Sequence, residues 1–155
     1  MIRPAIAADA PQLFEIRRAA ILAFAAPAMR ADLAVEWADA HPPAWTHAVI
    51  RERVVHVFER AGTSVGWVSA IGCRVDGLYV SPPHAGRGVG RALLKFAEAE
   101  IAAQGYAEVV LEASVNAVGF YARLGYERVG ARLPDDGPAY GAQPMRKSLG
   151  ERPRN

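Results

Sequence analysis

Hydrophobic and polar positions change period several times along the chain. Leu13, Ile16, Ala20, Ile21 and Phe24 recur every three or four residues, which predicts one buried helix face. Asp9 stands where a helix cap is expected, and Pro11 falls in the first turn, where its missing N–H costs little. Pro27 ends this helix. Leu33 and Trp37 share a face of a second helix over about 30–39, and Pro42-Pro43 separates it from a third segment, "AWTHAVIRER", read as helical. The period then shortens. "VVHVFERA" and "SVGWVSAIG" flank the turn Ala61-Gly62-Thr63 as a hairpin, and "CRVDGLYV" follows Gly72 as another strand. A helix over 88–104 closes at Gly105 and a strand follows at "AEVVLEA". The remainder reads as a short helix, "NAVGFYARLG", a strand, "YERVGARL", a loop, "PDDGPAYG", and a last strand, "AQPMRKSL". With "IRPA" as an opening strand, this order predicts a mixed α/β sheet. Its one parallel crossover runs from Val75–Val80 to Val109–Ala113.

Composition narrows the class. A chain of 155 residues favours one domain and buries enough surface to need no disulfide or metal staple. Net charge is only +2, with no block of Lys or Arg, so nucleic acid is not an expected partner. Cys73 is the single cysteine, which leaves no intrachain disulfide and no cysteine-based metal site. No signal-peptide pattern opens the sequence, and no apolar stretch is long enough to span a bilayer. The expectation is a soluble cytoplasmic protein without metal, membrane or nucleic-acid partners. A homodimer is left open. Residues 150–155 read as a disordered tail.

The stretch "SPPHAGRGVGRALL" adds candidate chemistry. Gly86, Gly88 and Gly90 open the helix at 88–104. A plain tight turn is one reading. Dinucleotide binding is a second, but G-x-G-x-x-G requires a third glycine where Arg91 stands. A phosphate-binding P-loop lacks its Gly-Lys-Ser/Thr. The third reading is a pyrophosphate cradle of another kind. Unpaired N–H groups and the helix dipole attract an anion, glycines let it approach, and Arg87 and Arg91 add charge.

"LYVSPPHAGRGVGRALLKFAEAEIAAQGY" resembles motif A of the GNAT acetyltransferase superfamily, and "LEASVNAVGFYARLGYERVG" resembles the segment that follows it. The two together are more specific than either alone. One departure is Ala85, where the family has Arg or Gln before the glycines. The resemblance implies one GNAT domain over 1–149. That fold is α/β (α+β), a mixed, mostly antiparallel sheet of about six to seven strands with helices on both faces. It implies acetyl-CoA as co-substrate and an amine, small-molecule or peptide, as acceptor.

Carried over residue by residue, the resemblance puts the coenzyme A pyrophosphate on Gly86, Arg87, Gly88, Val89, Gly90 and Arg91. It puts the pantetheine arm along the backbone of Leu78, Tyr79 and Val80, and Asn116 beside that arm. Asn116 also suits a helix N-cap. Tyr121 is the expected general acid for the departing thiolate, against the alternative of an aromatic packing beside Phe120. Asp76 and Glu112 are the candidate general bases, ahead of His84 and His47. No nucleophile–base pair is evident, which favours direct transfer over a covalent acyl-enzyme. The acceptor is expected between the N-terminal helices, with Phe24, Trp37 and Trp45, and the loop "LPDDGPAYG". Asp135, Asp136 and Glu36 would suit a cationic amine. A non-catalytic acyl-CoA-binding domain on the same fold is the alternative, with a dinucleotide-binding module behind it.

Overall fold

The structure is a computed structural model that describes residues 1–150. The tail expected from 150 onwards therefore lies, beyond Gly150, outside the described residues. Seven strands form one sheet: β1 (Ile2–Pro4), β2 (Val54–Arg60), β3 (Thr63–Ile71), β4 (Arg74–Val80), β5 (Glu108–Ala113), β6 (Glu127–Arg128) and β7 (Gln143–Ser148), in the order β1-β2-β3-β4-β5-β7-β6. The five α-helices are α1 (Ala10–Ala20), α2 (Ala31–Ala38), α3 (Trp45–Glu52), α4 (Val89–Ala103) and α5 (Val118–Arg123). Every strand pair is antiparallel except β4 with β5, so the expected mixed, mostly antiparallel sheet is what forms.

Most elements sit within two or three residues of their expected bounds. The β2–β3 hairpin turns through Ala61 (φ 52°) and Gly62 (φ 77°), two left-handed residues that match the twist of the strands they join. The apolar stripe of α1 buries Leu13 and Ile16 against Val49, Val57 and Trp67, and the Trp67 indole N–H donates to the Leu13 carbonyl at 3.0 Å. On the other side of the sheet, Val89, Leu93, Leu94, Ala97 and Ile101 of α4 pack on Val65, Val68, Val109 and Leu111. Helices therefore cover both faces, and one core lies on each side.

Three expectations change. The first helix does not run regularly to Pro27: after α1 the chain widens into a π-turn over Ile21–Ala25 and tightens over Ala26–Ala28. Asp9 precedes α1 but makes no cap bond to it; its carboxylate accepts from the Ile6 N–H at 2.8 Å and from both terminal nitrogens of Arg3. The strand expected over 126–133 shrinks to Glu127–Arg128, because Gly130 turns left-handed (φ 69°) and interrupts the ladder, after which the Leu133 N–H returns to the Ala142 carbonyl at 2.8 Å.

The feature that positions the site is the β4–β5 pair. Its one bridge is Arg74 with Val110, next to a bond from the Val110 N–H to the Cys73 carbonyl at 3.0 Å. Beyond that point the strands splay. On its other edge β4 stays paired to β3, but the register slips there: Ser69 faces Gly77 while Ala70 faces Val75, so Asp76 is the extra residue of a bulge. The bulge bends β4 away from β5 and opens a wedge toward the C-terminal ends of the two strands.

Candidate active site

The wedge is the mouth of a cavity of about 570 Å³. Arg74 to Val80 of β4 form one wall, and Leu111, Glu112, Ser114 and Asn116 form the other. Ala85, Gly86, Gly88, Gly90 and Arg91 line one end, and Arg17, Ile21, Met29, Trp37, His41 and Trp45 line the other. The structure thus joins the glycine turn, both wedge strands and the N-terminal helices in a single space.

At the α4 end the backbone is built for an anion. Gly86 (φ 73°) and Gly88 (φ 84°) are both left-handed, and Gly88 caps the helix. The first main-chain bond of α4 is from the Ala92 N–H to the Gly88 carbonyl at 3.0 Å, so the N–H groups from Gly86 to Arg91 have no main-chain acceptor among the described residues. A Cβ placed on Gly86 or Gly88 would meet nothing within 4 Å. These glycines therefore serve the backbone angle and keep the approach clear. Gly90 differs. It is helical, and a Cβ there would touch Phe120 and Val80 at 3.5 Å. Val89 turns its side chain into the core and offers only backbone, Arg91 lines the cavity, and Arg87 is exposed outside the lining.

The candidate acid and bases meet the same space. Tyr121 of α5 is 8% exposed, lines the cavity and makes edge contacts with Phe120 and Tyr126 at ring distances of 5.2 and 5.6 Å. Its hydroxyl has no hydrogen-bond partner among the described residues. Burial pushes this phenol well above the usual tyrosine value, and the neighbouring Tyr79 phenol adds to the shift. Asp76, the bulge residue, has both oxygens engaged: Arg53 donates to Oδ2 at 2.7 Å and the Ser69 hydroxyl to Oδ1 at 2.8 Å. Glu112 accepts from Arg74 on Oε1 at 3.1 Å and is more open to solvent. Asn116 reaches the cavity but caps nothing. The residue preceding α5 is Ala117, and the Asn116 Oδ1 instead accepts from the Ser114 hydroxyl at 2.9 Å. Standing before the helix, Asn116 is free of helical rotation and shares the cavity with Tyr121.

A profile of the acetyltransferase (GNAT) domain family matches residues 25–149. The chain belongs to the GNAT acetyltransferase family. Solved structures agree with this. A GCN5-related N-acetyltransferase from Rhodopseudomonas palustris is 28% identical, with 96% of this chain and 95% of that one covered at a TM-score of 0.86. YncA of Salmonella typhimurium, solved with acetyl-CoA, is 27% identical over 100% and 96% of the two chains at 0.70. PaiA N-acetyltransferase of Thermoplasma acidophilum, solved with coenzyme A, is 20% identical over 96% and 98% at 0.78, a likeness of fold. No curated protein sequence matches the chain.

The end of the cavity beside the N-terminal helices departs in its charged groups from what the sequence suggests. Trp37 and Trp45 are there as expected, and the loop after β6 arrives through Pro138, Ala139 and Tyr140. Tyr140 stacks on Trp37 at 5.9 Å. Asp135, Asp136 and Glu36 do not line the cavity, and Asp135 is bonded to Arg132. The charged groups that do line this end are Arg17, Arg53 and Asp76, with His41 stacked on Trp45 at 4.0 Å. Burial and the two arginines hold the His41 imidazole below its usual pKa, so it is neutral at pH 7. Arg17 and His41 carry no motif, which is why neither was singled out. The available signal was spacing: Arg17 stands four residues from both Leu13 and Ile21, in the middle of the apolar stripe.

Proposed function

We propose that the protein is an acetyl-CoA-dependent N-acetyltransferase that transfers the acetyl group directly to an amine in a ternary complex. The observation that carries this reading is the union, in one cavity, of the glycine cradle at α4, the unpaired edge of β4 and the Tyr121 hydroxyl. The pyrophosphate would lie on the N–H groups from Gly86 to Arg91, with the helix dipole and Arg91 adding positive potential. The pantetheine amides would bond the β4 edge at Leu78, Tyr79 and Val80 as an added strand, with Asn116 opposite. The thioester would then sit beside Tyr121.

The amine first loses one proton through cleft water toward Glu112, whose Oε2 faces no partner among the described residues. Asp76, held by Arg53 and Ser69, fixes the bulge that opens the wedge and is the weaker candidate base. The amine nitrogen attacks the thioester carbonyl and forms the C–N bond. As the C–S bond breaks, Tyr121 gives its proton to the departing sulfur, and the proton that the new amide nitrogen sheds restores the phenol. One proton leaves to solvent overall. The test is acetyl-CoA turnover, read by thiol release against a panel of amines, together with thermal shifts by acetyl-CoA, NAD and ATP. Stabilisation by acetyl-CoA with no turnover of any amine would favour the non-catalytic acyl-CoA-binding alternative. Stabilisation by NAD alone would overturn both.

A further inference from the structure

We infer that Arg17 is the acceptor-binding residue and that it receives a carboxylate, so that the acceptor is a small amine bearing a free acid group, of the amino-acid kind. This rests on the acetyl-transfer reading above and adds the substrate class.

Arg17 is 2% exposed and lines the cavity. Its Nη1 donates to the Ala38 carbonyl at 3.2 Å and its Nη2 to the Trp37 carbonyl at 3.0 Å. These carbonyls are the C-terminal end of α2, which offers only a fraction of a negative charge. No carboxylate pairs with Arg17 among the described residues, and its Nε is buried without an acceptor. A guanidinium carries five N–H groups, and the two α2 carbonyls, with the Tyr79 hydroxyl as a further polar neighbour, do not take them all. A buried cation without a counter-charge is costly. Its packing is rigid: the guanidinium lies 5.1 Å from the Trp45 ring centre and 5.9 Å from that of Tyr79. Such a group is a preformed receptor for an anion.

The neighbouring charges do not supply that anion. Arg53, which follows α3, and Asp76 of β4 neutralise each other at 2.7 Å, and His41 is neutral at pH 7. The acceptor end is left with one unmatched positive charge, which repels a polycation. Position also fits. The Arg17 guanidinium lies 5.9 Å from the Tyr79 ring centre, and Arg17, Tyr79 and Tyr121 line the same cavity, so the anion receptor and the proposed acid open into one space. A small molecule with a carboxylate and an amine a few bonds apart can present one group to each. The Trp37–Tyr140 stack supplies an apolar wall for its side chain.

The experiment compares matched pairs on the wild-type enzyme: free amino acids against their carboxamides, with spermidine and kanamycin as polycationic arms. We expect kcat/KM for the free acids to exceed that for the amides by about ten-fold or more, the scale of a hydrogen-bonded charge. In Arg17→Met the preference should collapse through the acids, with the acetyl-CoA thermal shift retained. Arg17→Lys should restore part of it. Equal use of acid and amide, a preference for either polycation, or no turnover of any acid by an enzyme that binds acetyl-CoA would each overturn the assignment. Failure to bind acetyl-CoA would instead strike the reading beneath it. If Arg17→Met does not fold, the wild-type pairs still decide.

Discussion

Replacing Tyr121 by Phe tests the proposed chemistry with the least structural disturbance. The phenol hydroxyl has no hydrogen-bond partner among the described residues, so its removal orphans no donor or acceptor. The ring, with its edge contacts to Phe120 at 5.2 Å and Tyr126 at 5.6 Å, is kept. Stability should change by less than about 1 kcal/mol, which for a domain of this size moves Tm by no more than about 2–4 °C. A general acid is worth roughly 10²–10⁴ in rate, or about 2.7–5.5 kcal/mol of barrier at 1.36 kcal/mol per decade. The structure favours the lower end. Burial makes Tyr121 a weaker acid than free tyrosine, which reduces its driving force toward a thiolate. The expected result is a kcat loss of about 10², with acetyl-CoA affinity unchanged, because the proton is needed only as the C–S bond breaks. Single-turnover thiol release, paired with a melting curve, makes the measurement. Wild-type turnover in the variant would reduce Tyr121 to packing. A large loss accompanied by a collapsed Tm would make the effect structural.

Gly88→Ala should fold, at a cost of about 1–2 kcal/mol for a left-handed alanine, and should weaken acetyl-CoA by at least about ten-fold, because its Cβ enters open space that the proposed cradle gives to the diphosphate. Gly90→Ala should weaken it far less, since that Cβ meets Phe120 and Val80 instead; titration calorimetry on the pair would refute the cradle if the two behave alike. Arg91→Ala should cost more coenzyme A affinity than Arg87→Ala, because Arg91 alone of the two lines the cavity, and a reversed order would count against that placement. Asp9→Asn should lower stability by about 1–2 kcal/mol at pH 7. Arg3, then the Ile6 N–H, hold the Asp9 carboxyl below its usual pKa against the opposing effect of burial. That stability is therefore present above about pH 4 and lost as pH falls through the lowered folded value, so melting curves of wild type and variant should converge only below it.

The periodic elements were legible because their patterning is local. The stripe of α1, the β2–β3 hairpin with Ala61-Gly62, and α4 behind its glycines all follow from residues close in sequence. The β6 strand was overread because alternation alone does not show that Gly130 turns left-handed. The family resemblance implied a free backbone edge at Leu78, Tyr79 and Val80, and the wedge is what frees it. Its cause, the bulge at Asp76, depends on β3, and nothing in "CRVDGLYV" marks which residue is extra. Gly77 carries the trace afterwards: a Cβ there would lie 2.7 Å from the Ser69 hydroxyl, the group that bonds Asp76. At the site, the proposed anion cradle could be suggested from sequence because such backbone chemistry announces itself as glycine. The proposed acceptor end could not, since the aspartates were read by charge alone and the surroundings of Arg17 exist only when α2 and Trp45 close over it.

The two ends of the cavity solve one electrostatic problem in different ways. At α4 the positive potential comes from N–H dipoles at an exposed helix start, so the proposed diphosphate site costs little when empty, and left-handed glycines suffice to build it. At the acceptor end the potential is a full charge taken out of water. That costs far more, and it is tolerated only because two α2 carbonyls and two aromatic faces already surround the guanidinium. An arginine kept there for packing alone would be replaceable by Met with a gain in stability, as buried charges often are. An arginine kept for binding would also gain stability on that change and lose its acid substrates. Stability and specificity should therefore move in opposite directions at Arg17, whereas at Asp9, where the ion pair Arg3–Asp9 only ties β1 to the start of α1, removing the charge should lower stability and leave kcat/KM unchanged.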